Sequence, residues 1–305
     1  MSRKVLTVIE LDNYPEDVVA RATWLAKLLN CDLELLLCDP TASYLSETFI
    51  VSNEVRQLAS DIHAAEEEAL QELARPPEAE GIVVTTVTSH EHPVADVIVG
   101  KAHEIEPAYV VKGTRYHTSA ERATFADTDW QLMKKLDYPL WFVKPSRWKK
   151  APIIVAAVDP THEKDRGAKL DRRIVKTAQS LAEACGGRVE LVHTYQRLVE
   201  IGSHAMKTFK PIRLPINELD TKIRDDHRRN LDAFASDCGI SDDAVHQLPG
   251  RAHELLPMFA KTHGANLMVM GALSRGGIKR RYIGNTAARV LDHLPCDVLV
   301  VPAIS

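Results

Sequence analysis

The second half of this chain repeats the first half. Residues 92–144 align with residues 250–302 at a constant offset and without a gap. Few aligned residues are identical, but the apolar runs, the helical stretches and the turn residues follow in the same order. The 305 residues are therefore interpreted as two copies of one domain of ordinary size, covering residues 1–146 and 147–305. A feature present in both copies is attributed to the fold, whereas a feature in one copy is a candidate for function.

The composition indicates a globular protein of the cytoplasm. Hydrophobic residues make up 45% and charged residues 26%, which is enough apolar material for a core in each half. The formal net charge of −4 gives no electrostatic support for a nucleic-acid partner. No apolar run reaches the roughly 20 residues that cross a bilayer. We therefore expect neither a nucleic acid nor a membrane as a partner.

The cysteines and the N-terminal segment also indicate a cytoplasmic protein. The five cysteines form no Cys-x-x-Cys pair, which favours reduced and mostly buried thiols over a disulfide framework. The N-terminal segment MSRKVLTVIELD carries acidic residues too early for a signal peptide. A cytoplasmic location is the expectation.

Short apolar runs alternate with helical patterns along both halves. Runs without polar alternation are typical of strands that are buried on both faces, and the intervening helices imply right-handed crossovers. The prediction is an α/β fold with two tandem, doubly wound, parallel five-stranded sheets of the Rossmann-like class. The predicted strands are 6–11, 33–37, 83–88, 109–113 and 140–144, then 153–159, 189–193, 244–248, 267–271 and 297–301.

Glycines, prolines and apolar spacing set the predicted helix limits. The first helix of the second half is expected to stop at Gly186-Gly187, and the second helix of the first half at Pro76-Pro77. The linker between the domains is placed at 145–152. The predicted helices are 16–29, 55–75, 94–104 and 128–136, then a stretch around 170–185, and 219–237, 253–263 and 286–294.

The loop after the fourth strand differs most between the two halves. In the second half, residues 271–287 read GALSRGGIKRRYIGNTA, with four glycines that permit tight turns and close approach to a ligand. Gly284-Asn285-Thr286 opens a helix, so its unbonded amides and positive dipole end form a potential anion site. Arg275, Lys279, Arg280 and Arg281 add positive charge. The alternative is that Asn285 or Thr286 caps the helix and that the basic residues form a solvated face.

This pattern resembles the universal stress protein family. The family's nucleotide signature is Gly-x2-Gly-x9-Gly-(Ser/Thr/Asn), and the corresponding residues here are Gly271, Ser274, Gly284 and Asn285, with Ser274 in place of the second glycine. The resemblance implies binding of ATP, with magnesium, in the second domain. It further implies that Thr286 belongs to the phosphate loop. The resemblance also places Asp159 near the adenosine, Met270 beside the adenine and His193 at a position where the family has an apolar wall.

The first half departs from that signature. Its equivalent loop, residues 113–130, keeps Gly113 but has Tyr116 at the second glycine and Ala126-Asp127 in place of Gly-Asn. Asp127 and Asp129 would cap the helix amides and would repel a phosphate by about 1 kcal/mol each at surface dielectric. The first domain is therefore predicted not to bind a triphosphate in the family's manner. The segment FADTDWQLMKK resembles the tandem-domain subgroup of the family.

Other chemistry finds little support in the sequence. His90-Glu91-His92 with His103 is a weak metal candidate, because adjacent loop residues point apart and no cysteine completes the set. The sequence contains no Gly-x-Ser-x-Gly elbow, no Walker lysine and no His-Glu-x-x-His. We expect no metal site and no catalytic residues.

The function expected from the sequence is that of a stress-response protein, regulatory or protective, which binds an ATP-like nucleotide in its second domain. Catalysis would be limited to slow ATP hydrolysis. The resemblance implies an internal pseudo-dimer through residues 140–144 and 298–302, with a homodimer as a further possibility. The alternative is a tandem scaffold that binds no nucleotide and acts through protein partners or through another small ligand.

Overall fold

The computed structural model describes residues 3–41, 43–44, 53–114, 128–161, 166–197, 216–271 and 290–303, with 166–168 and 216 described by backbone alone. The chain forms two compact units and passes from the first to the second between Pro145 and Ser146. Within the described ranges, no helix combines the length and the apolar content that crossing a bilayer requires.

The first unit contains a parallel five-stranded sheet. Its strands are β1 (Lys4–Ile9), β2 (Asp32–Cys38), β3 (Val84–Ser89), β4 (Tyr109–Gly113) and β5 (Leu140–Val143). Its helices are α1 (Pro15–Leu29), α2 (Asn53–Ala79), α3 (Val94–Ile105) and α4 (Thr128–Lys135). The strand order is β3-β2-β1-β4-β5, and each neighbouring pair is parallel. β1 therefore lies at the centre with its successors on both sides.

The second unit has the same order of strands in space. Its strands are β6 (Ile153–Ala157), β7 (Arg188–Tyr195), β8 (Val245–Pro249), β9 (Leu267–Gly271) and β10 (Asp297–Val301). Its helices are α5 (Arg166–Cys185), α6 (Ile216–Asp237) and α7 (Ala252–His263), and residues 290–293 are also helical. The order β10-β9-β6-β7-β8 with parallel pairing repeats that of the first unit. The predicted fold class is confirmed.

The pairing register corrects one detail of the sequence alignment. Aligning VLTVIELD (5–12) with PIIVAAVD (152–159) places Asp12 over Asp159. In the sheets, however, Val5 pairs with Leu33 and Tyr109, and Ile154 pairs with the equivalent Val189 and Leu267. The residue of the first domain that matches Asp159 is therefore Glu10, because Val5 and Ile154 hold equivalent positions in the two sheets.

Two of the helix limits show where local sequence decides and where packing overrides it. α5 ends at Cys185, as predicted, and Gly186 adopts a φ of 64° that glycine tolerates best. α2, in contrast, continues through Pro76-Pro77 to Ala79, so the predicted end was wrong. Leu70, Ala74 and Pro77 are buried on one face of α2, and this packing stabilises its last turn despite the lost backbone donors.

Two glycines should respond in opposite directions to replacement by alanine. A Cβ at Gly187 would lie 2.5 Å from the backbone oxygen of Pro152, which accepts the β7 hydrogen bond from Arg188. A Cβ at Gly100, inside α3, would meet nothing within 4 Å. Urea denaturation should show Gly100→Ala stabilising the protein by about 0.5–1 kcal/mol. Gly187→Ala should destabilise it by more than 1 kcal/mol, on the order expected for overpacking. Equal effects of the two changes would contradict the packing described at Pro152.

Candidate functional site

The order of the second sheet creates a crevice at one end. From β6 the chain proceeds to β7 and β8 on one side, and β9 and β10 lie on the other side. In sheets of this kind, ligands bind at the carboxyl ends of the strands where the order reverses, here between β6 and β9. Asp159 follows the end of β6, and Met270 and Gly271 are the last residues of β9. The fold thus brings these three predicted site residues to one edge.

Asp159 is held in place by its neighbours and remains partly accessible. Its backbone N–H donates to Oδ1 of Asp171 at 3.3 Å. Its own Oδ1 accepts the hydroxyl of Thr161 at 2.7 Å. The side chain is 24% exposed. Asp159 therefore presents a fixed carboxylate at the mouth of the crevice, as a contact to a ligand hydroxyl requires.

His193 lies on β7 next to Asp159 but inside the protein. Its side chain is buried, and its Nδ1 lies 3.0 Å from the oxygen of Val158 and 3.9 Å from Oδ1 of Asp159. Its Nε2 lies 2.7 Å from Nδ1 of His227, and the two rings stack. A carbonyl oxygen can only accept, so we assign the proton of His193 to Nδ1 and the second bond to donation by His227. His193 therefore lies in the wall beside Asp159 and links the residue that follows β6 to α6 through these two hydrogen bonds.

Asp171 is a site residue that sequence reasoning missed. It lies on α5, is buried, and accepts the backbone hydrogen bond of Asp159. The pKa of Asp171 is raised to about 7, chiefly by burial; the accepted hydrogen bond opposes this shift and the charge of Asp159 adds to it. Among the described residues, no group donates to its Oδ2. Two carboxyl groups, one of them titrating near neutral pH, therefore adjoin the crevice.

Gly271 is required by packing. A Cβ at this position would lie 2.6 Å from Cδ2 of Leu170 on α5. The equivalent Gly113 would bring a Cβ within 2.7 Å of the backbone oxygen of Asn13. Because both domains need a glycine where the fourth strand passes close to the first helix or the turn before it, this residue belongs to the fold as well as to the signature. The adjacent Met270 is buried.

The remaining predicted ligand residues lie outside the described residues. These are Ser274, Gly284, Asn285 and Thr286, together with the basic residues of the same loop. Tyr116, Ala126 and Asp127 of the first domain also lie outside them. The predicted phosphate loop therefore stays a prediction from the sequence.

The first domain carries a buried charge network at the matching place. Lys112 occupies the position of Met270, since Val110 pairs with Leu140 as Met268 pairs with Val298. Its Nζ lies 2.7 Å from Oε2 of Glu10 and 2.7 Å from Oδ1 of Asp129. Lys112 and Asp129 are only 3% and 2% exposed. An ammonium group and two carboxylates thus occupy the crevice between β1 and β4.

The network explains the charge state of Lys112. Burial alone would lower the pKa of Lys112, but Asp129 and Glu10 outweigh burial and hold that pKa above its usual value. Asp129, which the sequence placed as a helix cap, also accepts the hydroxyl of Thr114 at 2.7 Å. A lysine within the otherwise apolar strand YVVKG was the sequence signal for this network, and it was missed.

The histidines considered for a metal are not brought together. His90 lies 2.7 Å from His63, His92 stacks on Tyr44, and His103 meets the ring of Tyr138. His90 instead belongs to a cluster with His63 and Glu66 at the carboxyl end of β3. His90, His92 and His103, the weak candidate set considered from the sequence, therefore have different neighbours in the structure.

Two repeated parallel sheets with the same strand order, each with its first strand beside its fourth, define a tandem α/β protein of the Rossmann-like class. The profile of the Universal stress protein family matches residues 1–144 and again 152–302. The chain belongs to this family, and both halves are members.

Known relatives match the whole chain or two thirds of it. Universal stress protein E of Escherichia coli K12 is 26% identical over 310 residues, which cover 99% of this chain and 94% of that protein. The universal stress protein E homolog of Haemophilus influenzae is 30% identical over 213 residues, 67% of this chain and 65% of that protein. The predicted resemblance to the tandem-domain subgroup is confirmed.

Solved structures show the same fold. A functionally unknown protein from Pseudomonas aeruginosa PAO1 superposes with a TM-score of 0.72 at 23% identity, covering 99% of this chain and 93% of that chain. A universal stress protein from Archaeoglobus fulgidus superposes with a TM-score of 0.66 at 16% identity, covering 99% and 97%.

Replacing Lys112 by methionine, the residue of the second domain, should be costly. Lys112→Met removes the ammonium group that lies 2.7 Å from the buried Asp129, and we expect a loss of about 3–5 kcal/mol in the free energy of unfolding. Lys112→Met with Asp129→Asn should recover part of that loss. Arg172→Ala, which removes an exposed pair with Asp237, should cost less than about 1 kcal/mol. Chemical denaturation of the four proteins checks this, and a harmless Lys112→Met would contradict the buried pair.

The raised pKa of Asp171 predicts how stability depends on pH. Its folded pKa of about 7 exceeds the ordinary value of 3.8, so the folded state holds the proton more tightly. The resulting stabilisation is complete below the unfolded pKa and is lost as the pH rises through about 7, by on the order of 4 kcal/mol. Asp171→Asn should remove this part of the slope between about pH 4 and pH 8. Denaturation curves across that range test the prediction, which an unchanged slope in Asp171→Asn would refute.

Proposed function

We propose that this stress-response protein binds an ATP-like nucleotide in its second domain only. Membership of the family gives the coarse role in the stress response. The observation that carries the finer proposal is the difference between the two crevices. The second domain has Met270 and the partly exposed Asp159 where the first has the buried Lys112 and its partner Glu10.

The proposed site divides into a nucleoside part and a phosphate part. Asp159 would accept hydrogen bonds from the hydroxyls of the ribose, because its carboxylate is fixed at the end of β6. Met270 would lie beside the adenine, and His193 would support the wall behind Asp159. Amides of the loop and helix formed by Ser274, Gly284, Asn285 and Thr286 would hold the phosphates, with magnesium.

The first domain has a structural role in this proposal. A ligand entering between β1 and β4 would have to displace the ammonium group of Lys112 from Asp129, and both are almost fully buried. Separating such a pair costs several kcal/mol, which a nucleotide would have to supply. We infer that one nucleotide binds per chain.

Turnover is not part of the proposal. Asp159 is the carboxylate that the site offers at its mouth, and its proposed role is to hold the nucleoside rather than to activate water. Slow hydrolysis of the bound ATP is compatible with the site, but the conclusion concerns binding.

Titration calorimetry of ATP with magnesium on the whole chain tests the proposal. The expected stoichiometry is one. Gly284→Asp, which places an acid next to the position that Asp127 occupies in the first domain, should abolish binding, and Ser274→Gly should strengthen it by restoring the signature. Asp159→Asn should weaken binding by at least about tenfold, the effect of losing one hydrogen bond to a charged group. Glu10→Gln, the matched change in the first domain, should leave the affinity unchanged.

The outcomes separate the alternatives. A protein that ignores ATP, with or without Ser274→Gly, would favour the tandem scaffold. Binding that survives Gly284→Asp and Asp159→Asn but is altered by Glu10→Gln would place the nucleotide in the first domain and overturn the assignment.

A further inference from the structure

The second unit contains a buried carboxylate, Glu190, of which one oxygen is paired with a positive charge and the other is not. Glu190 lies on β7 and is 6% exposed. Its Oε1 accepts two hydrogen bonds from Arg188, whose side chain is 65% exposed. Its Oε2 is buried and, among the described residues, has no hydrogen-bond partner. This second oxygen is directed at a pair of histidines.

The equivalent carboxylate of the first domain, Glu34, is paired with a positive charge at each of its two oxygens. Glu34 aligns with Glu190 in the repeat and is equally buried. Its two oxygens meet Nζ of Lys4 at 2.6 Å and Nζ of Lys101 at 2.9 Å. Burial alone would raise the pKa of Glu34, but the two lysines outweigh burial and lower it. In the second domain, Glu190 has neither lysine, and His246 and His263 lie at its free edge.

His246 faces the unpartnered oxygen at a distance suited to a shared ion. Its Nε2 lies 3.6 Å from Oε2 of Glu190, which is too long for a hydrogen bond, and this nitrogen also has no partner among the described residues. A tetrahedral zinc ion with bonds of about 2.0–2.2 Å separates two of its ligand atoms by about 3.4 Å. Burial lowers the pKa of His246, Glu190 opposes that shift, and His263 and Arg228 add to it.

His263 is the third member of this cluster. It is the last residue of α7, and its Nδ1 lies 3.1 Å from the backbone oxygen of Phe259. Because a carbonyl only accepts, Nδ1 carries the proton and the lone pair of Nε2 is available to a metal. This is the usual outer-shell arrangement of ligating histidines. One ligand atom from each of Glu190, His246 and His263 lies within 4.8 Å of the others.

We propose that Glu190, His246 and His263 form a zinc site in the second domain, with a fourth tetrahedral position for water or another ligand. Two histidines and one carboxylate are a ligand set that Zn²⁺ takes in proteins. Glu190 lies near the start of β7 and His246 near the start of β8, whereas the crevice lies at the carboxyl ends of the strands. The zinc site is thus separate from the proposed nucleotide site and does not depend on it.

The histidine cluster of the first domain is a poorer candidate. His63 Nδ1 and His90 Nε2 are 2.7 Å apart, a hydrogen-bond distance that leaves no room for an ion between them. His90 Nδ1 is also bonded to the oxygen of Asp39 at 2.9 Å. These rings satisfy each other, whereas Glu190 and His246 do not.

Zinc titration of the chelator-stripped, full-length chain tests the proposal. We expect one zinc ion to bind and the melting temperature to rise with it. His246→Gln, His263→Gln and Glu190→Gln should each weaken binding by at least about tenfold. His63→Gln, the matched control in the first-domain cluster, should bind zinc like the parent. Circular dichroism of each variant confirms folding, and the partly exposed His263 keeps the test valid if a buried change disrupts the fold.

Cobalt(II) in place of zinc identifies the ligand type, because thiolate ligation adds a strong near-ultraviolet charge-transfer band that nitrogen and oxygen ligands lack. The expected spectrum has no such band, although five reduced cysteines are present. A thiolate band, unchanged affinity in both His246→Gln and His263→Gln, or a loss confined to His63→Gln would each overturn the proposal.

Discussion

Neutralising buried charge is the constraint on which the differences between these two domains depend. A charged group moved out of water loses several kcal/mol of hydration and persists only beside a partner. Lys112 is therefore found with Asp129 and Glu10, and Glu34 with Lys4 and Lys101. The same constraint applies to Oε2 of Glu190, which has no hydrogen-bond partner among the described residues. The nearby His246 and His263 can neutralise this oxygen only by sharing a metal cation with it or by taking up a proton.

Duplication made each domain a template against which the other can be compared. Both keep the order of strands and the glycine at the end of the fourth strand, because the first helix, or the turn before it, passes too close there for a side chain. They differ where packing allows a choice. At one position of that strand the first domain has Lys112 and the second has Met270. Charged side chains of the protein therefore occupy the first crevice, whereas the second has an apolar side chain at that point.

Much of the fold could be predicted because its signals are local. Apolar runs, helical spacing and the Gly186-Gly187 stop depend on residues that are close in sequence. The predicted end at Pro76-Pro77 failed because burial of Pro77, a tertiary effect, stabilises the last turn of α2. Sequence alignment of the first strands places Asp12 over Asp159, whereas the pairing of the strands, a tertiary feature, matches Asp159 with Glu10.

By itself, the sequence determined the two repeated domains, the parallel α/β class, the family and the presence of Asp159, Met270 and Gly271 at the ends of strands. Only the tertiary structure decided which side chains meet. Lys112 and Glu10 are 102 residues apart, and Glu190, His246 and His263 come from two strands and a helix. The physical reason is that charge pairing and metal ligation depend on distances of a few ångströms, which sheet register and helix packing set and sequence spacing does not.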